Sequence, residues 1–217
     1  IKKMLFLGSA CIYPRDASQP IKEEYLLSDY LEATNEPYAI AKIAGIKLCE
    51  NYYRQYGDNF ISIMPNNLYG SNDNFDLKTS HVIPALIRKF HEAKVNNNAN
   101  VDVWGSGQPL REFLHVDDFA DSCLFLMNNM DADQLYRQNI SHLNIGTGEE
   151  VTIKGLALMI KDIVGYQGDL KFNSDYPDGT LRKLLDVSRL SKMGWKSKIE
   201  LNYGIKSVYE WYVKNYS

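Results

Sequence analysis

Two short apolar runs flank one long helical segment, and this order constrains the chain more than any other feature. Met4-Leu5-Phe6-Leu7 is continuously apolar and ends at Gly8-Ser9. Such runs suit a strand covered on both faces within a parallel sheet. Asn35 then offers an N-cap, and Pro37 sits where a missing N–H does no harm. The helix this starts runs to Tyr56, with Gly57 as a left-handed stop. Ala41, Ala44, Leu48 and Tyr52 are spaced as its core stripe. Tyr53 and Tyr56 add apolar surface beyond that stripe, which predicts a second buried face. Phe60 to Met64 is the next strand, closed by Pro65. Strand, helix, strand in this order is the signature of a βαβ unit.

The rest of the chain is read by the same rules. The polar segment up to Thr34 is expected to be a loop, with a short helix near residues 23–30. Helices are expected over 81–95, with Pro84 in the first turn, and over 116–127, with Asp117 and Asp118 at the favourable positive end. Thr152 can cap a helix over 153–164 that Gly165 ends. Asp186 can cap a short helix up to Met193, and residues 201–215 form a last amphipathic helix. Short strands are expected over 101–104, 143–145 and 170–172. After about residue 75 the short strands and loops predict a second lobe.

Composition narrows the classes. The 217 residues are 45% hydrophobic and 24% charged, enough for one large or two small domains. A net charge of −3 argues against a nucleic-acid surface. No apolar run is long enough to span a membrane, and no signal-peptide pattern is present. Cys11, Cys49 and Cys123 are odd in number and far apart, which suits neither a disulfide framework nor a zinc site. A reducing, cytoplasmic setting without a metal is expected.

Tyr38 and Lys42 carry the first chemistry. They are four apart at a helix start, so one turn stacks them on the same face. An ammonium beside a phenol favours the phenolate, which lets the hydroxyl shuttle a proton. Ser9 lies at the carboxyl end of the first strand, where ligands sit in open α/β sheets.

Ser9 with Tyr38-x-x-x-Lys42 resembles the Ser-Tyr-Lys set of the extended short-chain dehydrogenase/reductases. Further stretches carry the resemblance along the whole chain: Leu7 to Pro14, Asn35 to Lys42, Asn67-Leu68-Tyr69-Gly70, Ser80 to Ala85, Val103 to Gly107, Arg111 to Asp118 and Pro177 to Thr180. Within that family they are similar to the branch that makes GDP-L-fucose from GDP-4-keto-6-deoxy-D-mannose. The resemblance implies an α/β fold: the C-terminal part of a Rossmann-type doubly wound parallel sheet plus a smaller mixed α/β substrate lobe. Residues 1–75 would belong to the NADP-binding domain. Residues 76–217 would mainly form the nucleotide-sugar lobe, with about 115–145 returning to the first domain.

The resemblance also implies roles. Tyr38 would protonate the C4 alkoxide formed by hydride from NADPH, Lys42 would assist it and hold the nicotinamide ribose, and Ser9 would hold the carbonyl. Cys11 and His81 would exchange the C3 and C5 protons. Pro65, Asn66, Asn67, Leu68 and His81 would lie beside NADP(H). Lys89, Trp104, Arg111, Asp178 and Lys183 would contact the GDP-sugar, the cations suiting a diphosphate. Related enzymes pair through the long helix, so a homodimer is expected. His115 receives no role, and His91 and His142 read as surface or structural. Two departures stand out: Ala10 where serine is common, and Lys89 where arginine is. No Gly-x-x-Gly-x-x-Gly loop occurs, and the chain starts at Ile1 directly before a strand. A preceding part of on the order of a hundred residues is expected, at ~30 per βαβ unit. Without it, the 217 residues alone are expected not to turn over.

Overall fold

The computed structural model describes residues 1–216. Its strands are β1 (Met4–Leu7), β2 (Phe60–Pro65), β3 (Asn67–Tyr69), β4 (Asn100–Trp104), β5 (Leu110–Arg111), β6 (Phe113–His115), β7 (Leu143–Ile145), β8 (Val151–Thr152), β9 (Asp169–Asn173) and β10 (Arg182–Lys183). Its α-helices are α1 (Glu36–Tyr56), α2 (Val82–Val95), α3 (Val116–Asn129), α4 (Ala132–Tyr136), α5 (Ile153–Val164), α6 (Ser188–Lys192) and α7 (Leu201–Tyr216).

β1, β2 and β7 form a parallel sheet in that order, with Met4 opposite Phe60 and Ile63 opposite Leu143. The chain crosses from β1 to β2 through α1, so the expected βαβ unit forms. Ile61 and Ile63 on β2 pack with Leu143 and Ile145 on β7 and with Phe119 and Leu126 on α3. This is a Rossmann-like α/β arrangement. The remaining strands make three small sheets: β3 with β6, β4 with β9, and β5 between β10 and β8. α2, α5 and α7 enclose a second core around Phe90, Ile160 and Val208.

Local signals set several boundaries. Gly57 takes φ 72° and its N–H donates to the Tyr53 carbonyl, ending α1. Thr152 Oγ1 accepts from Gly155 N–H at 2.9 Å and caps α5, and Gly165 ends that helix at φ 73°. Asp186 accepts from Ser188 N–H at 2.9 Å at the start of α6.

Three expectations need correction. Asn35 makes no side-chain capping bond: it closes a 3-10 turn over Ala33–Asn35 that runs directly into α1. The segment near residues 23–30 holds only a 3-10 turn over Glu23–Tyr25. Ala41, Ala44, Leu48 and Tyr52 are exposed, and α1 instead buries Ala39, Ile43, Ile46, Cys49 and Glu50. Apolar residues lie on both faces of this helix, and contact with the sheet chooses between them. The Phe6 ring lies so close to Gly45 that a Cβ there would sit 2.2 Å from Cζ. That approach turns the Ile43–Ile46 face inward.

Candidate functional site

The carboxyl ends of β1 and β2 open onto one cleft of about 720 Å³. Ser9, Cys11, Tyr38, His81 and the Pro65–Leu68 segment all line it. Their positions follow from local structure. Ser9 follows β1 and caps a 3-10 turn over Ala10–Ile12, its Oγ accepting from Cys11 N–H at 3.3 Å. That bond uses an oxygen lone pair and leaves the hydroxyl proton available to a ligand. The same turn carries Cys11 to the cleft. His81 is the exposed N-cap position of α2, with its backbone carbonyl bonded to Ala85 N–H and no capping bond from its ring.

Tyr38 stands in the first turn of α1, 47% exposed. Lys42 follows one turn later, its Nζ 5.5 Å from the Tyr38 ring centroid and 5.4 Å from that of Phe6. Lys42 Nζ also donates to the Leu7 carbonyl at 3.0 Å, which ties the helix to the end of β1 beside Ser9. The stacking expected from the four-residue spacing therefore forms.

The residues expected to hold the substrate divide into separate places. Lys89 and Trp104 line a separate recess of about 740 Å³ between α2 and β4. Lys89 Nζ lies 4.8 Å from the Trp104 ring centroid and donates to the Asp102 carbonyl at 3.0 Å; burial lowers its pKa. Asp178 accepts from Ser106 N–H and Oγ at 2.6 and 2.7 Å, and these bonds lower its pKa. It thereby fixes the turn that follows Trp104. Arg111 on β5 donates to the Leu110 carbonyl at 2.8 Å, and burial lowers its pKa against the opposing pull of Asp178. Lys183 pairs with Arg111 across β10 and β5, its Nζ lies 3.9 Å from Cys11 Sγ, and Lys183 and Cys11 line a narrow recess of about 100 Å³.

Several participants escaped the sequence reading. Glu112 is fully buried between Arg111 and β6. Its carboxylate accepts from Asn66 Nδ2 at 2.7 Å, Gly148 N–H at 2.8 Å and Leu185 N–H at 3.1 Å. A Cβ at Gly146 would meet it at 2.2 Å, so the chain beyond β7 needs glycine there. The Arg111–Asp118 motif contains Glu112, but an acid in a motif does not disclose its partners. Tyr176 stacks on Trp104 with centroids 4.4 Å apart and planes at 9°. His115 caps α3, Nδ1 accepting from Asp117 N–H at 3.2 Å. His142, read as surface or structural, is buried with its Nε2 2.6 Å from Tyr13 Oη, whose proton goes to Asn144 Oδ1 at 2.5 Å.

Comparison with known proteins places the chain in a family. The model of the NAD dependent epimerase/dehydratase family matches residues 1–146. A probable GDP-L-fucose synthase 1 of Oryza sativa subsp. japonica is 56% identical over 215 residues, covering 99% of this chain and 63% of the relative. The GDP-L-fucose synthase of Escherichia coli (strain K12) is 54% identical over 219 residues, covering 99% and 68%. A solved structure of MlghC, a GDP-mannoheptose C4 reductase from Campylobacter jejuni with NADP bound, has a TM-score of 0.88 at 43% identity. It covers 98% of this chain and 70% of that one. The chain spans about 63% of the length of the rice relative.

Proposed function

Since the chain belongs to the NAD dependent epimerase/dehydratase family, we propose that the protein carrying it converts GDP-4-keto-6-deoxy-D-mannose to GDP-L-fucose. The reaction is epimerisation at C3 and C5 followed by NADPH-dependent reduction at C4. The observation that carries this reading is one cleft lined together by Ser9, Cys11, Tyr38 and His81. Reduction needs the first and third of these, and epimerisation needs the second and fourth.

The cleft suits the reacting end of NADP(H). It is open and roomy, the Pro65–Leu68 backbone forms one wall, and Lys42 stands one helical turn beyond Tyr38. When bound there, NADPH would supply the hydride for C4. Ser9 holds the C4 carbonyl with the hydroxyl proton that its capping bond leaves unused. Tyr38 gives its proton to the C4 oxygen as charge develops there, and the ammonium of Lys42 offsets the charge left on the phenol. The same ketone acidifies C3 and C5. Cys11 removes a proton from one face of the sugar and His81 returns one to the other.

Arg111, Lys89 and Trp104 are assigned to the GDP-sugar, Asp178 setting the turn beside Trp104. The division of the chain into a cofactor part over 1–75 and a mainly sugar-binding part over 76–217, with about 115–145 returning to the first, belongs to the same reading. So does a homodimer through the exposed face of α1. Three free cysteines support a cytoplasmic location. Among the described residues, no helix is long and apolar enough to cross a membrane.

A second reading is C4 reduction without epimerisation, favoured by the likeness to MlghC, which is named a C4 reductase. One experiment separates the two. The whole protein is incubated with the keto-sugar and NADPH in heavy water, and deuterium at C3 and C5 is followed by NMR. Wash-in at both carbons that is lost in Cys11→Ser and His81→Gln supports the first reading. NADPH oxidation without wash-in selects the second.

A further inference from the structure

We propose that Lys183 is the proton partner of Cys11: its amine takes the thiol proton and leaves the sulfur as the base of the epimerisation step. The inference rests on the reading of Cys11 as a proton-transfer residue. It moves Lys183 from the diphosphate to the chemistry.

The two residues stand 172 positions apart in sequence, yet Lys183 Nζ lies 3.9 Å from Cys11 Sγ, within hydrogen-bonding reach for sulfur. The approach is built into the fold. β10 pairs in parallel with β5, Lys183 opposite Arg111. The Lys183 carbonyl accepts from Asn66 Nδ2 at 3.2 Å, so the lysine backbone is tied to the segment that walls the cleft. Cys11 lines both the main cleft and the narrow recess, whereas Lys183 lines the recess. The sulfur therefore stands between the substrate space and the amine.

The surroundings favour exchange of a proton within the pair. Burial lowers the pKa of Lys183, and Cys11 opposes that shift. Buried lysines serve as bases because the neutral amine becomes accessible. Arg111 on β5 disfavours the ammonium and Glu32 on the preceding loop favours it. Arg15 and Arg182 also line the recess. The transfer balances: the S–H bond breaks, its electron pair stays on sulfur, and an N–H bond forms on Lys183. The recess keeps its net charge. The C–H bond beside the ketone then breaks, its proton goes to sulfur, and its electron pair moves towards the C4 oxygen as an enolate.

The test uses the whole protein with Lys183→Met and Lys183→Gln. Alkylation of each cysteine by iodoacetamide is followed by peptide mass spectrometry across pH 6–9, and deuterium wash-in is measured in parallel. We expect Cys11 alkylation near neutral pH to slow by about tenfold or more in both variants. Wash-in should fall with it, while Cys49 and Cys123 keep their wild-type rates and so report an intact fold. Unchanged Cys11 alkylation in both variants overturns the proposal. Slowed alkylation in a protein whose wild type shows no wash-in upholds the pairing and overturns the epimerase reading instead.

Discussion

The Glu112 carboxylate accepts from the Asn66 side-chain amide at 2.7 Å, joining the chain after β2 to the chain between β5 and β6. The same carboxylate binds the backbone N–H groups of Gly148 and Leu185. Four segments, one of them the Asn66 wall of the cleft, therefore meet at one buried acid. Glu112→Ala leaves these donors without their partner, at roughly 1–3 kcal/mol for each buried group left unsatisfied. We expect a loss of about 3 kcal/mol or more in urea unfolding. A loss below about 1 kcal/mol would show that water replaces the carboxylate.

Tyr38→Phe removes the proposed acid while leaving the ring beside Lys42. General acid catalysis contributes about 10²–10⁴-fold. NADPH oxidation by the whole protein should fall by that factor with substrate affinity retained. Oxidation within about threefold of wild type would assign the proton to another group.

Burial lowers the pKa of His142 to about 3 from the ordinary value of 6.5. The unfolded chain thus binds a proton between these values that the folded chain refuses. Stability is fully present above about pH 6.5 and falls as the pH drops towards 3, by up to about 1.4 kcal/mol per pH unit from this group. Urea unfolding at about pH 7 and about pH 5.5 should show the loss, and His142→Gln should reduce the difference. A difference unchanged in the variant would place the proton uptake on other residues.

The face of α1 that carries Ala41, Leu48 and Tyr52 is exposed. Apolar side chains along one exposed helix face suit a self-complementary two-fold contact. Light scattering of the whole protein should give twice the protomer mass, and Leu48→Glu should shift it towards one. A wild-type monomer at micromolar concentration would reject the contact.

The βαβ order, the αL stops at Gly57 and Gly165 and the Thr152 cap were legible because they depend on side chains a few residues apart. Tyr38 and Lys42 were legible for the same reason, since one helical turn sets their relation. The inward face of α1 was not. Both of its faces are apolar, and the Phe6 ring against Gly45 makes the choice. The absence of an Asn35 cap follows from the 3-10 turn before it, which depends on how the preceding loop packs. Glu112 meeting Asn66, Lys183 meeting Cys11 and Tyr13 meeting His142 link residues 46, 172 and 129 positions apart. Short-range periodicity and capping chemistry carry no information about such pairs. Strand register and sheet order bring them together, and those are decided only when the distant segments pack.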